Sequence, residues 1–354
     1  MRIKYNLLIC ANIYSILTAE STPLLVIGTQ RSGSNLLRLI LNQHAQIDAP
    51  HPPHLLQMFY PLLPLYGNLQ QPQNFKQLVQ DIAGYVNVNP VPWAEVQLTT
   101  ESILQRCPVP TLPEIFKVVY QLKAEVKNAR YWCCKSMANV YYIPEIEAAG
   151  MQPYYIHLLR DGRDVAASFK NAIVGDKHVY FIAQQWAKEQ ELARSMTQQY
   201  APQRTTVIRY EEFIANPQAA LLPTLNMLGL QWSNDLLNFY LSDEAKRTAA
   251  SGEMWKNVVK PVDNTNARHY SEKMSAEEIR IFEAVAGNTL VEFGYKTDNN
   301  LAQLSADFTA EEIASFKAVN EKLKAEAKLK YPLDAAVRIP QQQWLEQIKM
   351  RSVA

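Results

Sequence analysis

The sequence has no excess of charge of either sign: 35 Lys and Arg face 34 Asp and Glu, for a formal net charge of +1 over 354 residues. No global field draws such a chain to nucleic acid or to an anionic membrane, so any polyanion must be held by a local basic pocket. Cysteine is scarce, and Cys10, Cys107, Cys133 and Cys134 show no metal-ligand spacing, so no metal site is expected. Cys133 and Cys134 lie in an apolar Tyr-Trp-Cys-Cys run and read as buried thiols of a strand, compatible with a reducing compartment, although four cysteines could also pair. An apolar run of the roughly 20 residues that cross a bilayer is also missing. The stretch from Leu7 to Leu17 is short and broken by Asn12, Tyr14 and Ser15. Residues 1–22 therefore read as a packed N-terminal extension in preference to a signal peptide, with a cytoplasmic location and no stable membrane insertion expected. Neither an internal repeat nor a low-complexity linker divides the chain, which reads as one domain with insertions.

What is present is organised around Pro23 to Arg38, where Leu24, Leu25, Val26 and Ile27 form a continuous apolar run that ends at Gly28. Such a run reads as a buried parallel strand, and Leu36, Leu37, Ile40 and Leu41 beyond it are spaced for a helix face. Between them lies Thr29-Gln30-Arg31-Ser32-Gly33-Ser34-Asn35. Gly28 and Gly33 permit a tight loop whose N–H groups converge on one point, with the positive end of a helix behind them. The spacing opens like the P-loop pattern G-x-x-x-x-G-K-[ST], but Ser34 stands where the Lys belongs and Asn35 where the Mg²⁺-binding hydroxyl belongs. That disfavours an ordinary Mg-nucleoside triphosphatase. The cation sits instead at Arg31, where a guanidinium can hold oxygens of a transferring anion.

A second strand-turn-helix reads Leu158-Leu159-Arg160-Asp161-Gly162-Arg163-Asp164-Val165-Ala166-Ala167-Ser168, with Asp164 placed for the helix N-terminus. A strand-end guanidinium and a hydroxyl two turns into the helix suit a dianionic phosphate. Further strands are read at 131–134, ending in Lys135, and at 205–209, ending in Tyr210. Strands alternating with helices predict a three-layer α/β/α architecture around a central parallel sheet, P-loop NTPase-like, with ligands at the C-terminal strand ends. The expected limits are a main domain at 23–300 with a helical acceptor or lid insertion at about 55–130, and a helical segment at 301–354 packed on it. Within the insertion, helices are predicted at 74–85 and 113–126, between proline-rich connectors.

These two motifs together resemble those of sulfotransferases that use 3′-phosphoadenosine 5′-phosphosulfate (PAPS). The loop Thr29 to Leu36 is similar to their 5′-phosphosulfate loop, and Arg160, Asp164 and Ser168 meet their Arg-x-x-x-Asp-x-x-x-Ser pattern for the 3′-phosphate. The resemblance implies PAPS as cosubstrate, PAP as product and no required metal. It places Gln30, Arg31, Ser32, Gly33, Ser34, Asn35, Arg160 and Ser168 on the nucleotide, with Tyr210 near the adenine. Gly252 to Asn257 resembles the loop that closes over the nucleotide, which adds Trp255, Lys256 and Asn257. The family's Arg-Lys-Gly triplet before that loop is replaced by Thr248-Ala249-Ala250, with Arg247 or Lys246 as possible substitutes.

For the transfer itself, Arg31 is assigned to the leaving phosphate and the sulfuryl oxygens, the amides of Ser32 to Asn35 to the 5′-phosphate, and Lys135 as a second sulfuryl contact. Met137 stands where cytosolic relatives carry a catalytic His. The loop after the first helix, where membrane-type relatives carry a carboxylate, holds His51 and His54 among three prolines. A neutral imidazole suits deprotonation of a hydroxyl near pH 7, so His51 is the first choice of base and His54 the second. The aromatic and apolar residues from Leu55 to Tyr66 point to a small or lipid-like acceptor, with carbohydrate and peptide tyrosine left open. The rival readings are a P-loop kinase and a non-catalytic nucleotide-binding protein.

Overall fold

The computed structural model describes residues 20–351 except Arg268. The expected N-terminal extension, with Cys10 and the Leu7 to Leu17 run, lies almost wholly outside the described residues. Five strands, β1 (Thr22–Gly28), β2 (Ile47–Asp48), β3 (Tyr131–Cys134), β4 (Tyr154–Leu159) and β5 (Thr205–Arg209), form one sheet in the order β2-β3-β1-β4-β5. Every pairing is parallel, and β1 runs down the middle between β3 and β4. The expected parallel α/β architecture is therefore the observed one, and the C-terminal end of β1 opens where the strand order reverses.

Three layers follow from the alternation of side chains along the strands. Leu24 and Val26 pack with Tyr131, Cys133, Ile156 and Leu158 into the core on one face. Leu25 and Ile27 pack with Trp132, Cys134 and Tyr155 into the core on the other. All these side chains are essentially inaccessible, which is why the strands read as unbroken apolar runs without polar alternation. A one-residue slip of β1 would exchange its two faces, so the register that sets the phosphate loop is firmly held.

The helices of the first half are α1 (Ser34–Asn42), α2 (Leu55–Phe59), α3 (Pro72–Asn87), α4 (Thr100–Leu104), α5 (Leu112–Lys127) and α6 (Ile143–Ala148). Those of the second half are α7 (Gly162–Lys170), α8 (Val179–Tyr200), α9 (Tyr210–Ala215), α10 (Pro217–Met227), α11 (Asp243–Ala250), α12 (Tyr270–Lys273) and α13 (Ala276–Glu292). The chain ends in α14 (Ala310–Lys330), α15 (Pro332–Ala336) and α16 (Ile339–Arg351). Helices α2, α3 and α5 of the insertion build much of one face core, together with β3 and β4. Charged α14 buries only Asn320 and Ala327. It docks through the Asn320 side chain, whose Oδ1 accepts from the amides of Lys177 at 2.7 Å and His178 at 3.0 Å.

Three local details go beyond the sequence reading. The two-residue β2, which follows α1, is a strand only by its pairing with β3. The aromatic stretch after α2 is a 3₁₀ helix, Tyr60–Tyr66, whose prolines leave it without a full set of α-helical donors. Helix α7 is capped by Asp161, not Asp164: the Asp161 Oδ1 accepts from Arg163 N at 2.9 Å, and Asp164 lies in the first turn.

Candidate active site

Arg31 and Gly33 turn the chain from β1 into α1 with left-handed backbones, φ 68° and 85°. At Gly33 the conformation is enforced by packing, since a Cβ there would fall 2.5 Å from the Tyr210 ring. Tyr210 is thus laid directly on the loop, and any side chain at 33 would push the two apart. Gly33 is also the N-cap of α1, and no side chain caps this helix. The first amides of α1 are therefore open to an anion, as helix N-termini are. The Ser32 hydroxyl is buried without a hydrogen-bond partner among the described residues.

Arg160, just past β4, joins the second motif to this loop. Its Nη1 donates to Arg31 O at 3.0 Å, and its guanidinium lies 4.2 Å over the Tyr210 ring. In the reverse direction Arg31 Nε donates to Ser168 Oγ at 3.1 Å. Residues 129 and 137 positions apart in the chain are so brought to one point. Arg160 Nε is buried without a partner, while its Nη2 reaches Asn266 O at 3.4 Å. Asn266 in turn donates to the Tyr210 hydroxyl at 3.1 Å, and Asp164 Oδ1 accepts from His269 N at 2.9 Å. The connection before α12 thereby closes over the second motif.

Lys135 follows β3, and the 50–54 turn delivers two histidines beside it. The His51 carbonyl accepts from Trp93 Nε1 at 2.7 Å and Asn89 Nδ2 at 3.2 Å, so the insertion fixes the backbone of this turn. The His51 ring meets the Trp255 ring edge-on at 4.8 Å between centroids. Both its nitrogens are buried with no partner among the described residues. His54 is different: with φ 57° it caps α2, and its Nδ1 lies 2.8 Å from Ser136 Oγ.

Cations crowd this centre. Burial and then Arg160 push Arg31 down to about 10, and burial, Arg38 and Arg31 push Lys135 down to about 7. Burial and then Lys135 lower His51 well below its ordinary value and lower His54 to about 3. Like charges gathered in a buried place disfavour one another, so the arrangement is one that an anion would relieve.

A family model described as "Sulfotransferase family" matches residues 23–234, more than half of the sequence. The chain belongs to the Sulfotransferase family. Its fold is similar to the sulfotransferase domain from the Synechococcus PCC 7002 olefin synthase, with 20% identity, a TM-score of 0.52, and coverage of 79% of this chain and 97% of that one. It is equally similar to the sulfotransferase domain from the curacin biosynthetic pathway, with 19% identity, a TM-score of 0.52, and coverage of 78% and 99%. No curated protein matches it closely in sequence.

Around this sulfotransferase centre some expected residues do not gather. Trp255 is buried, but its neighbours Lys256 and Asn257 face solvent, and Lys256 pairs with Glu253. The inward turn that brings Trp255 to His51 directs the next two positions away. Lys246 pairs with Asp243 and Arg247 with Glu244 within the same helix. Gln30 and Asn35 are half-buried; the Asn35 side chain accepts from Arg38 Nε at 3.3 Å. Ser34 is buried at the start of α1.

The sequence reading did not single out Arg38, which is wholly buried inside the sulfotransferase core. It donates to Ala49 O at 2.9 Å, Glu244 Oε1 at 2.6 Å and Thr248 Oγ1 at 2.9 Å, tying α1 to α11 and to the turn that carries His51. An arginine among Leu37, Leu39, Ile40 and Leu41 was the available signal, since a charge on a buried face must have partners. Asp334 and Arg338 were also missed. Among the described residues no group of three or more His, Cys, Asp or Glu could hold a metal ion, and no helix is long and apolar enough to cross a membrane.

Proposed function

We propose that the protein moves the sulfuryl group of PAPS to a hydroxyl of a small or hydrophobic acceptor, leaving PAP. The observation that carries this reading is the junction of the two motifs, in which Arg31 reaches Ser168 and Arg160 reaches the Arg31 carbonyl. One loop with open helix amides suits the 5′-phosphosulfate, and an arginine with an unpartnered buried Nε suits the 3′-phosphate. Membership of the Sulfotransferase family favours sulfuryl over phosphoryl transfer.

In this reading Arg31 and Lys135 neutralise charge on the oxygens that flank sulfur, while the amides at the start of α1 hold the phosphate left behind. His51 takes the acceptor proton as the new S–O bond forms and the bond to the 5′-phosphate breaks. Its two unpartnered nitrogens leave one free to accept from a hydroxyl. Burial first, and then the surrounding cations, disfavour its charged form in the free protein; the negative charge of the nucleotide offsets the cationic part and so raises its basicity when the donor is in place. His54, bonded to Ser136, orders the turn. The insertion supplies the acceptor wall, where Tyr60 stacks on Tyr142 at 4.6 Å.

The test is calorimetry of PAP binding without added metal. Wild type binds PAP, and Arg160→Ala and Arg31→Ala each lose that binding. Unaltered affinity in both variants, or binding of Mg-ATP in place of PAP, overturns the reading.

A further inference from the structure

The C-terminal segment returns across the molecule to the transfer site, a placement that nothing in its charged sequence announces. Asp334 of α15 is only 1% exposed, and its Oδ2 accepts from Glu253 N at 2.7 Å. Gly252 makes the approach possible, since a Cβ there would lie 2.4 Å from Asp334 Oδ1. That Oδ1 is buried with no hydrogen bond, 3.7 Å from Arg338 Nη1. The Arg338 guanidinium lies 5.2 Å from the Trp255 ring centre, and its Nη2 is 3.3 Å from Met254 Sδ. Two residues of one short segment thus hold three consecutive residues of the 3₁₀ turn Glu253–Val259, the turn that presses Trp255 on His51.

The far end of the segment is fixed to the insertion. Trp344 Nε1 donates to Asp81 O at 2.9 Å, Gln341 Nε2 to Tyr85 O at 3.2 Å, and Arg351 pairs with Asp81 at 2.6 Å. Residues 332–351 therefore span from helix α3 to the turn that carries Trp255. The charges they carry also act on the centre: Arg338 is among those that lower His51, His54 and Lys135, and Asp334 acts on Arg31 in the opposite sense.

We infer that Asp334 and Arg338 are positioning residues of the transfer site, a clasp by which the C-terminal segment holds the Trp255 turn closed against His51 and over the bound nucleotide. Asp334 contributes an acceptor to the turn's backbone, Arg338 a cation to its indole, and α16 braces both against α3. Opening the clasp uncovers the site; closing it fixes Trp255 and, through it, the ring of His51.

The part that concerns the nucleotide rests on the PAPS reading, so two measurements are made on the full chain: hydrogen exchange of the free protein and the PAP dissociation rate. In Asp334→Ala the amides of 253–259 exchange about tenfold faster, as expected for a lost buried acceptor, and PAP leaves faster by a similar factor. Exchange in β1 and β4 is unchanged. Asp334→Asn keeps an acceptor for Glu253 N and restores most of the protection, and Arg338→Ala speeds exchange at 254–256. Wild-type exchange at 253–259 in both alanine variants overturns the clasp. So does faster exchange spread equally through β1 and β4, because that is loss of stability and not of positioning. If wild type fails to bind PAP, the exchange measurement still decides the clasp, and the failure falls on the proposed function alone.

Discussion

Among individual residues, Lys135 and His51 bear most directly on the proposed transfer; Lys135 stood out in the sequence as a cation after an apolar strand and His51 as an imidazole within a proline-rich turn. Lys135, held near 7 by burial and by Arg38 and Arg31, loses its proton in the free protein as pH rises through neutrality. A bound phosphate or sulfuryl group favours the charged ammonium, so above about pH 7 binding takes up a proton, and below it Lys135 is already charged. PAP affinity is therefore flat below neutrality and falls by up to about tenfold per pH unit above it. Calorimetry in buffers of different ionisation enthalpy measures the uptake, and Lys135→Met abolishes it. For His51, replacement by Asn lowers turnover about 10²- to 10⁴-fold, the usual weight of a general base, and leaves PAP affinity nearly unchanged. Single-turnover assays with labelled PAPS separate the two, and a fully active variant would remove His51 from the mechanism. Lys256 and Asn257 show the opposite case. Their spacing after Trp255 invites a role, but neighbours on a tight turn point different ways, and sequence alone does not say which way the turn faces.

Elements were legible to the degree that their own residues determine them. The strands β1, β3 and β4 are largely apolar runs that suit a covered sheet, while β5, at the sheet edge, leaves Val207 exposed; α3 and α5 fall within two residues of their expected limits. Strand β2 was not legible, because pairing with β3 and not composition makes it a strand. At α7 the cap belongs to Asp161, and the reason is visible in its partner. Arg163 is buried, forked onto Asp161 at 2.8 and 3.0 Å, and paired with Glu283 of α13 at 2.6 Å. Arg163 Nη2 also donates to Lys296 O at 2.8 Å. Asp161 thus caps the helix while serving as one jaw of a buried ion network that locks the second motif to α13. Removing the cation leaves two buried carboxylates facing each other, a change that costs about 3–5 kcal/mol. Arg163→Ala should accordingly lower the urea midpoint with an unchanged slope, and a midpoint within error of wild type would show that water replaces the pair at no cost.

The whole molecule sets near-neutral total charge against a local crowd of cations. Arg31, Lys135, Arg160 and Arg38 converge from four different elements, and the balance of the sequence hides them, although it rightly required any polyanion site to be local. Asp334 and Arg338 were beyond sequence reading for a related reason: they stand more than 70 residues past the last motif, and only the path of the chain brings them back. Such a centre holds like charges together at the expense of folding stability, so a ligand that neutralises them stabilises the fold by mass action. At one hundred times its dissociation constant PAP adds about 2.7 kcal/mol. In a chain of this size that raises the thermal midpoint by roughly 4 °C, since the shift per kcal/mol shrinks as domains grow. Inorganic sulfate at the same concentration, which reaches one anion position and lacks the second, should shift the midpoint less. Arg160→Ala should remove the PAP shift while keeping the small sulfate effect at the first loop. Equal shifts for PAP in wild type and Arg160→Ala would mean that the two motifs do not act on one ligand, and that their junction at Arg31 and Ser168 serves packing alone.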